Sequence, residues 1–153
     1  MSNDFEKTAD ELQASVMEDA RKIYSEKVIE RWLKPRNLGK IRKPDGFARI
    51  KGPCGDTMQI SFRVKDNRIS KIKFITEGCA SSIASGSMAT ELAQGKKLKE
   101  AAEISQQMIL DALDGLPDES VHCPLLASNT LKEAIRNYFD SKRNDFVKQW
   151  DKE

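Results

Sequence analysis

Hydrophobic and polar positions repeat with two different periods along this chain, and the switch between them divides it. Over residues 4 to about 34, Phe5, Leu12, Val16, Ile23, Val28, Ile29 and Leu33 recur at helical spacing with charges between them. That predicts an N-terminal helical region, with its front portion open to being a separate, looser helix. Pro35 and Gly39 in "KPRNLGK" end it, and "IRKPDG" reads as loop. The period then shortens to two. "FARIKG" reads as a short strand. In "DTMQISFRV", Met58, Ile60, Phe62 and Val64 take one face and Thr57, Gln59, Ser61 and Arg63 the other. "RISKIKFITEG" alternates less cleanly, because Ile69 and Ile75 differ in parity from Ile72 and Phe74. The two runs meet at Asp66-Asn67, which predicts an antiparallel hairpin. A sheet with one apolar face needs a cover.

Helical periodicity returns to supply it. "CASSIASGSMATELAQG" spaces Ala80, Ala84, Met88 and Leu92 four apart, with Gly95 as a C-terminal cap. "KLKEAAEIS" and "SQQMILDALDG" predict two short helices, and "LPDESVHC" a loop. Pro124 fits the first position of a last helix through Leu126, Thr130, Leu131, Ala134, Ile135 and Tyr138 toward Trp150. The order is α+β: a small antiparallel three-stranded sheet packed on one face by helices, with an N-terminal helix and a long C-terminal one. Residues 1–21 read as a helical extension, 22–144 as one domain and 145–153 as the end of the last helix. No internal repeat or low-complexity segment interrupts it.

Composition narrows the partners. The chain has 153 residues, 39% hydrophobic and 33% charged, which suits one globular domain. A net charge of +2 makes no demand for nucleic acid. No apolar run approaches the roughly 20 residues of a membrane span. The Asp- and Glu-rich start resembles neither a signal nor a transit peptide, so the expected location is the cytoplasm.

The three cysteines carry the candidate chemistry. Cys54, Cys79 and Cys123 are widely spaced, with no Cys-x-x-Cys. A free cysteine is often a small buried apolar residue. Here all three fall at boundaries: Cys54 in the turn "KGPCGD", Cys79 where a strand hands over to a helix, Cys123 before the last helix. A helix N-terminus lowers a thiol pKa, which is the expectation for Cys79 and Cys123. Asp56 adds a carboxylate to the turn of Cys54, and His122, the only histidine, adjoins Cys123. Brought together, these make three sulfur ligands, one carboxylate and one imidazole. Thiolates favour zinc, copper(I) or iron–sulfur. Iron–sulfur carriers normally use four cysteines, so the fourth ligand is Asp56, His122 or something external. Asp56 also suits a turn, but that turn already has glycine to shape it.

The stretches "YSEKVIERWLKPRNLG", "GPCGDTMQISFRV", "FITEGCASSIASGSMATELAQGK" and "HCPLLASNTLKEAI" resemble, in order, the iron–sulfur cluster assembly scaffolds of the IscU and NifU N-terminal type. The resemblance covers about Tyr24 to Tyr138. It implies a scaffold rather than a conventional enzyme. A [2Fe–2S] cluster is built on it from iron and from persulfide sulfur delivered by a cysteine desulfurase, with electrons from other donors, and passes to apo-proteins. By position, Cys54, Cys79 and Cys123 are the implied cysteine ligands, Asp56 a ligand or a control on lability, and His122 a ligand, a hydrogen-bond partner of sulfur or a proton carrier. Cys123 is the implied persulfide acceptor. Zinc occupies the same group in zinc-loaded forms, and a site with few protein ligands leaves room for a cluster-dependent homodimer. The alternative is a zinc-binding, SufU-like protein that relays persulfide without building a cluster; a cysteine hydrolase with His122 as base has no orienting carboxylate of known position and no substrate-pocket signal. Lys51, Arg36 and Asn37 are candidates to meet the desulfurase. One departure stands out. The housekeeping members carry Leu-Pro-Pro-Val-Lys before this His-Cys, where an Hsp70-type chaperone docks. Here the stretch is "LPDES", and its two carboxylates and missing lysine weaken that contact.

Overall fold

A computed structural model describes residues 2–53 and 55–151, and the side chains of 6–53 and 55–149. The predicted N-terminal helical region is two helices, α1 (Ser2–Ile23) and α2 (Glu26–Leu33). Ser25 makes the break. Its hydroxyl accepts from Val28 N at 3.1 Å, capping α2, and donates to Leu113 O at 2.5 Å. A serine that satisfies a free helix N–H competes with helix continuation, which periodicity alone does not register.

Strands β1 (Gly46–Lys51), β2 (Thr57–Lys65) and β3 (Arg68–Thr76) form an antiparallel sheet in the order β1-β2-β3. Asp66 and Asn67 both have positive φ, as a two-residue hairpin turn requires. Just beyond it, Val64 pairs with Ile69 but Arg63 with Lys71, leaving Ser70 unopposed. That bulge resets the parity of β3, so Ile69, Ile72 and Phe74 all reach the core, and it explains the uneven alternation of the sequence.

The buried face of the sheet carries Met58, Ile60, Phe62 and Phe74. Helix α3 (Ala80–Ala93) covers β3, and α6 (His122–Asp151) covers β1 and β2; α2 packs over α3, and the short α4 (Leu98–Ala102) and α5 (Gln106–Ala112) lie against α6. Helix α3 is buried on nearly every side, which its small residues permit. A side chain at Gly86 would strike the Phe74 ring, so glycine there lets helix and strand approach. Residues 36–39 run along the edge of β3: Phe74 N donates to Asn37 O and Gly39 N to Phe74 O, each at 2.8 Å. The paired edge is thereby closed to other strands.

One ionic network ties α2 to α3. Glu91 accepts from Arg31 Nε at 2.8 Å, Arg36 Nη1 at 2.5 Å and Ser87 Oγ at 3.1 Å. Burial alone would raise the Glu91 carboxyl, but the two guanidiniums and the serine outweigh it and hold the pKa below its ordinary 4.5. A lowered native pKa stabilises the fold above the unfolded value and stops doing so as pH falls through the native one. Glu91→Gln should therefore cost about 1–2 kcal/mol near neutral pH, allowing for the solvent around Arg36. The gap should close as pH drops below about 4.5. Denaturant titrations of both proteins across that range check it; a gap independent of pH would remove the network from the stability of the fold.

Candidate metal and sulfur site

Three turns meet at one end of the sheet. The first joins β1 to β2, where Gly52 N donates to Asp56 O at 2.6 Å and Gly55 N to Gly52 O at 3.0 Å, with Gly55 at φ +88°. The second joins β3 to α3. Thr76 Oγ1 donates to Thr57 O at 2.8 Å and accepts from Gly78 N at 3.1 Å, which ties this turn to the first. The third is the start of α6. A short 3₁₀ turn at Asp118–Ser120 leads into it. Here the expected loop is largely helical: α6 begins at His122, so Pro124 lies inside the first turn rather than at the first position. Its missing N–H still costs nothing, because the opening N–H groups of a helix have no partner within it.

These turns bring Asp56, His122 and Cys123 together, with one ligand atom of each within 4.8 Å of the others. Cys123 Sγ lies 3.6 Å from His122 Nε2. Ser82, one turn into α3, joins the group: its hydroxyl donates to Asp56 Oδ2 at 2.9 Å and lies 3.4 Å from Cys123 Sγ. A hydroxyl has one hydrogen. With that hydrogen on the carboxylate, the thiol is the donor to Ser82 Oγ, and the chain runs from sulfur through serine to Asp56. Gly78 leaves room for it, since a Cβ there would strike Ser82 and come 3.0 Å from Asp56 Oδ2.

Cys123 is fully buried, and burial pushes its thiol up to about 11. A Ser82 hydroxyl that turns its hydrogen to the thiolate instead acts the other way, while the neighbouring Cys79 and Asp56 add to the rise. The expectation that the helix N-terminus lowers this thiol is thus reversed. Desolvation and two potential anions outweigh the partial charge of the helix end. Cys79 is exposed at the N-cap of α3, outside the close trio yet near enough to bear on Cys123. Cys54 lies outside the described residues; Gly55 and Asp56 of its turn flank the group. Arg36 and Asn37 are occupied internally, Arg36 with Glu30 and Glu91 and Asn37 with Thr90, whereas Lys51 is exposed. Asp118 and Glu119 of "LPDES" are exposed beside the site.

A thiol, an imidazole and a carboxylate within one coordination radius suit zinc or iron, and an oxygen ligand is harder than a thiolate. Sequence reasoning gives Ser82 no role of its own. The available signal was its position, three residues after Cys79 on the same face of α3.

Comparison with known proteins agrees with the fold. The profile of the NifU-like N terminal domain matches residues 23–145. The iron–sulfur cluster assembly scaffold protein IscU 1 of Archaeoglobus fulgidus is 49% identical over 118 residues, covering 76% of this chain and 77% of its own. IscU of Haemophilus influenzae is 45% identical over 120 residues, covering 75% and 94%. The fold of the N-terminal NifU-like protein of Brucella abortus superposes with a TM-score of 0.62 at 19% identity, covering 77% of this chain and 95% of that one. A candidate SUF-system scaffold from Fervidobacterium islandicum superposes with a TM-score of 0.61 at 25% identity, covering 76% and 98%.

Proposed function

The chain belongs to the NifU-like N-terminal domain family, and from that premise we propose that it is a scaffold on which an iron–sulfur cluster, of the [2Fe–2S] type, is assembled and then passed to apo-proteins. The observation that carries the reading is the convergence of Asp56, His122 and Cys123 from two distant turns. The relatives are named scaffold proteins, and their cargo is the cluster. On this reading Cys54 and Cys79 complete the sulfur set from the flanking turns.

Each side chain has a distinct task. Cys123 accepts sulfur from the persulfide of a cysteine desulfurase. Its thiolate attacks the outer sulfur, a new S–S bond forms, and the donor cysteine leaves as thiolate. His122, 3.6 Å from the sulfur, takes the proton that Cys123 gives up. Asp56 supplies an oxygen ligand, and Ser82 holds that carboxylate in place. Iron and electrons come from separate donors. The protein works in the cytoplasm on this reading; no described helix is long and apolar enough to cross a membrane.

Anaerobic incubation with iron, cysteine and a desulfurase tests the proposal. Visible charge-transfer bands with two irons and two sulfides per cluster support it. A colourless protein holding one tight zinc overturns it in favour of the persulfide relay. In the same assay Asp56→Ala should slow transfer to an acceptor about tenfold, roughly 1.4 kcal/mol of barrier. The weak oxygen ligand that eases departure is gone, and on this reading the neighbouring His122 imidazole takes its place. An unchanged transfer rate sinks that role for Asp56.

A further inference from the structure

The sheet face turned away from the helices is crossed by residues 41–42, where Ile41 N donates to the buried Ser61 hydroxyl at 3.2 Å and Arg63 donates to Arg42 O; around that crossing the charged strand residues are all basic. Register places Arg63 beside Lys71, Lys73 beside Ser61, Arg49 and Ile75 on either side of Gln59, and Lys51 beside Thr57. Solvated antiparallel faces usually mix signs, because like charges in neighbouring strands repel. Here Arg49, Lys51, Arg63, Lys71 and Lys73 share one face, and among the described residues none has an ion pair. Lys40 joins them at a cleft of about 130 Å³ lined also by Arg49, Thr57, Gln59 and Glu77, where two cations face one carboxylate. Phe47, 40% exposed, and Ile75 give the same face apolar ground.

A chain of net charge +2 with this face must gather its acid elsewhere, and α1 is where it does so. Through Asp19 that helix has six carboxylates and a single lysine. It also has an unpartnered apolar stripe: Leu12, Val16 and Ile23 are 62%, 54% and 60% exposed at the spacing of one helical face. Helix α1 meets the rest of the fold chiefly at α2, where Ala20 is buried. Because α2 packs on α3, on the far side of the sheet, a chain's own α1 is held away from its own basic face.

We propose that the basic sheet face of one copy is covered by α1 of a second copy, reciprocally, in a two-fold dimer that forms without any cluster. Length is not limiting: helix α1, at 22 residues, is about 33 Å long, whereas the nine-residue strands span about 30 Å and residues 41–42 cross part of that. Charge complementarity sets the orientation, and the Leu12–Val16–Ile23 stripe meets Phe47 and Ile75. The two-fold closes because each copy both gives a helix and receives one.

Sedimentation velocity on the full-length, iron-free protein tests this. At about 50 mM salt the mass should approach twice the 17.3 kDa chain, and it should fall toward one chain at about 500 mM. Arg49→Glu with Lys73→Glu should give a monomer at low salt, and so should Glu11→Lys with Glu18→Lys. Arg49, Glu11 and Glu18 are exposed and Lys73 is half-buried, so thermal unfolding is used to establish that each variant is folded. Mixing the two variants should restore the dimer, because each then offers the charge that the other lacks. A wild-type protein that is monomeric at low salt overturns the proposal, as does a dimer indifferent to both pairs or a mixture that stays monomeric.

Discussion

Replacing Cys123 by serine is expected to reduce cluster formation to background while leaving the protein folded. The side chain is fully buried where the three turns meet, and it touches both His122 and Ser82. Serine is close to cysteine in size and finds the same polar neighbours, so the cost in stability should be only about 1 kcal/mol. What vanishes is the soft donor and the nucleophile. Oxygen does not replace thiolate toward iron–sulfur, and a serine hydroxyl cannot form a persulfide. Visible absorption after anaerobic reconstitution, read beside the thermal midpoint, separates the two effects. Bands of wild-type intensity in Cys123→Ser would take this residue out of the site. The buried thiol also predicts a pH signature. In the metal-free protein, alkylation of Cys123 should keep rising as pH climbs toward about 11, because the thiolate is scarce below that.

Phe74→Ala should produce the largest loss of stability, about 3–5 kcal/mol. The ring is fully buried on β3 against the backbone of α3 at Gly86, which has no side chain to fill the space. In a chain of 153 residues that loss should lower the thermal midpoint by roughly 6–20 °C. The same residue pairs through its backbone with Asn37 and Gly39, and it lies five positions before Cys79, so the start of α3 should loosen with it. Thermal unfolding by circular dichroism measures the effect. A loss below about 1 kcal/mol would mean that α3 is held to the sheet by something other than this contact.

Much of the fold was legible in the sequence because its signals are local. Met58, Ile60 and Phe62 alternate, Asp66-Asn67 is a turn pair, and the small residues of α3 announce a helix that neighbours approach closely. The rest was tertiary. The place where the front helix separates is set by Ser25, whose partner Leu113 O lies 88 residues away. Ser70 looked like a fault in the pattern until the β2–β3 register made it a bulge. The start of α6 at His122 depends on how the preceding turn is held, for which no residue pattern speaks.

The candidate site divides in the same way. The residue types were set by the sequence: a soft sulfur donor at three boundaries, a carboxylate two residues beyond the first, the single imidazole beside the last. Coordination preferences belong to side chains, so they can be read without coordinates. Only the tertiary structure decided that Ser82 bridges Asp56 and Cys123, across 26 and 41 residues of chain. It alone decided that Cys123 is buried and its thiol raised rather than lowered. Those properties depend on which atoms exclude water and which charges end up adjacent, and both arise from contacts between segments that share no local pattern.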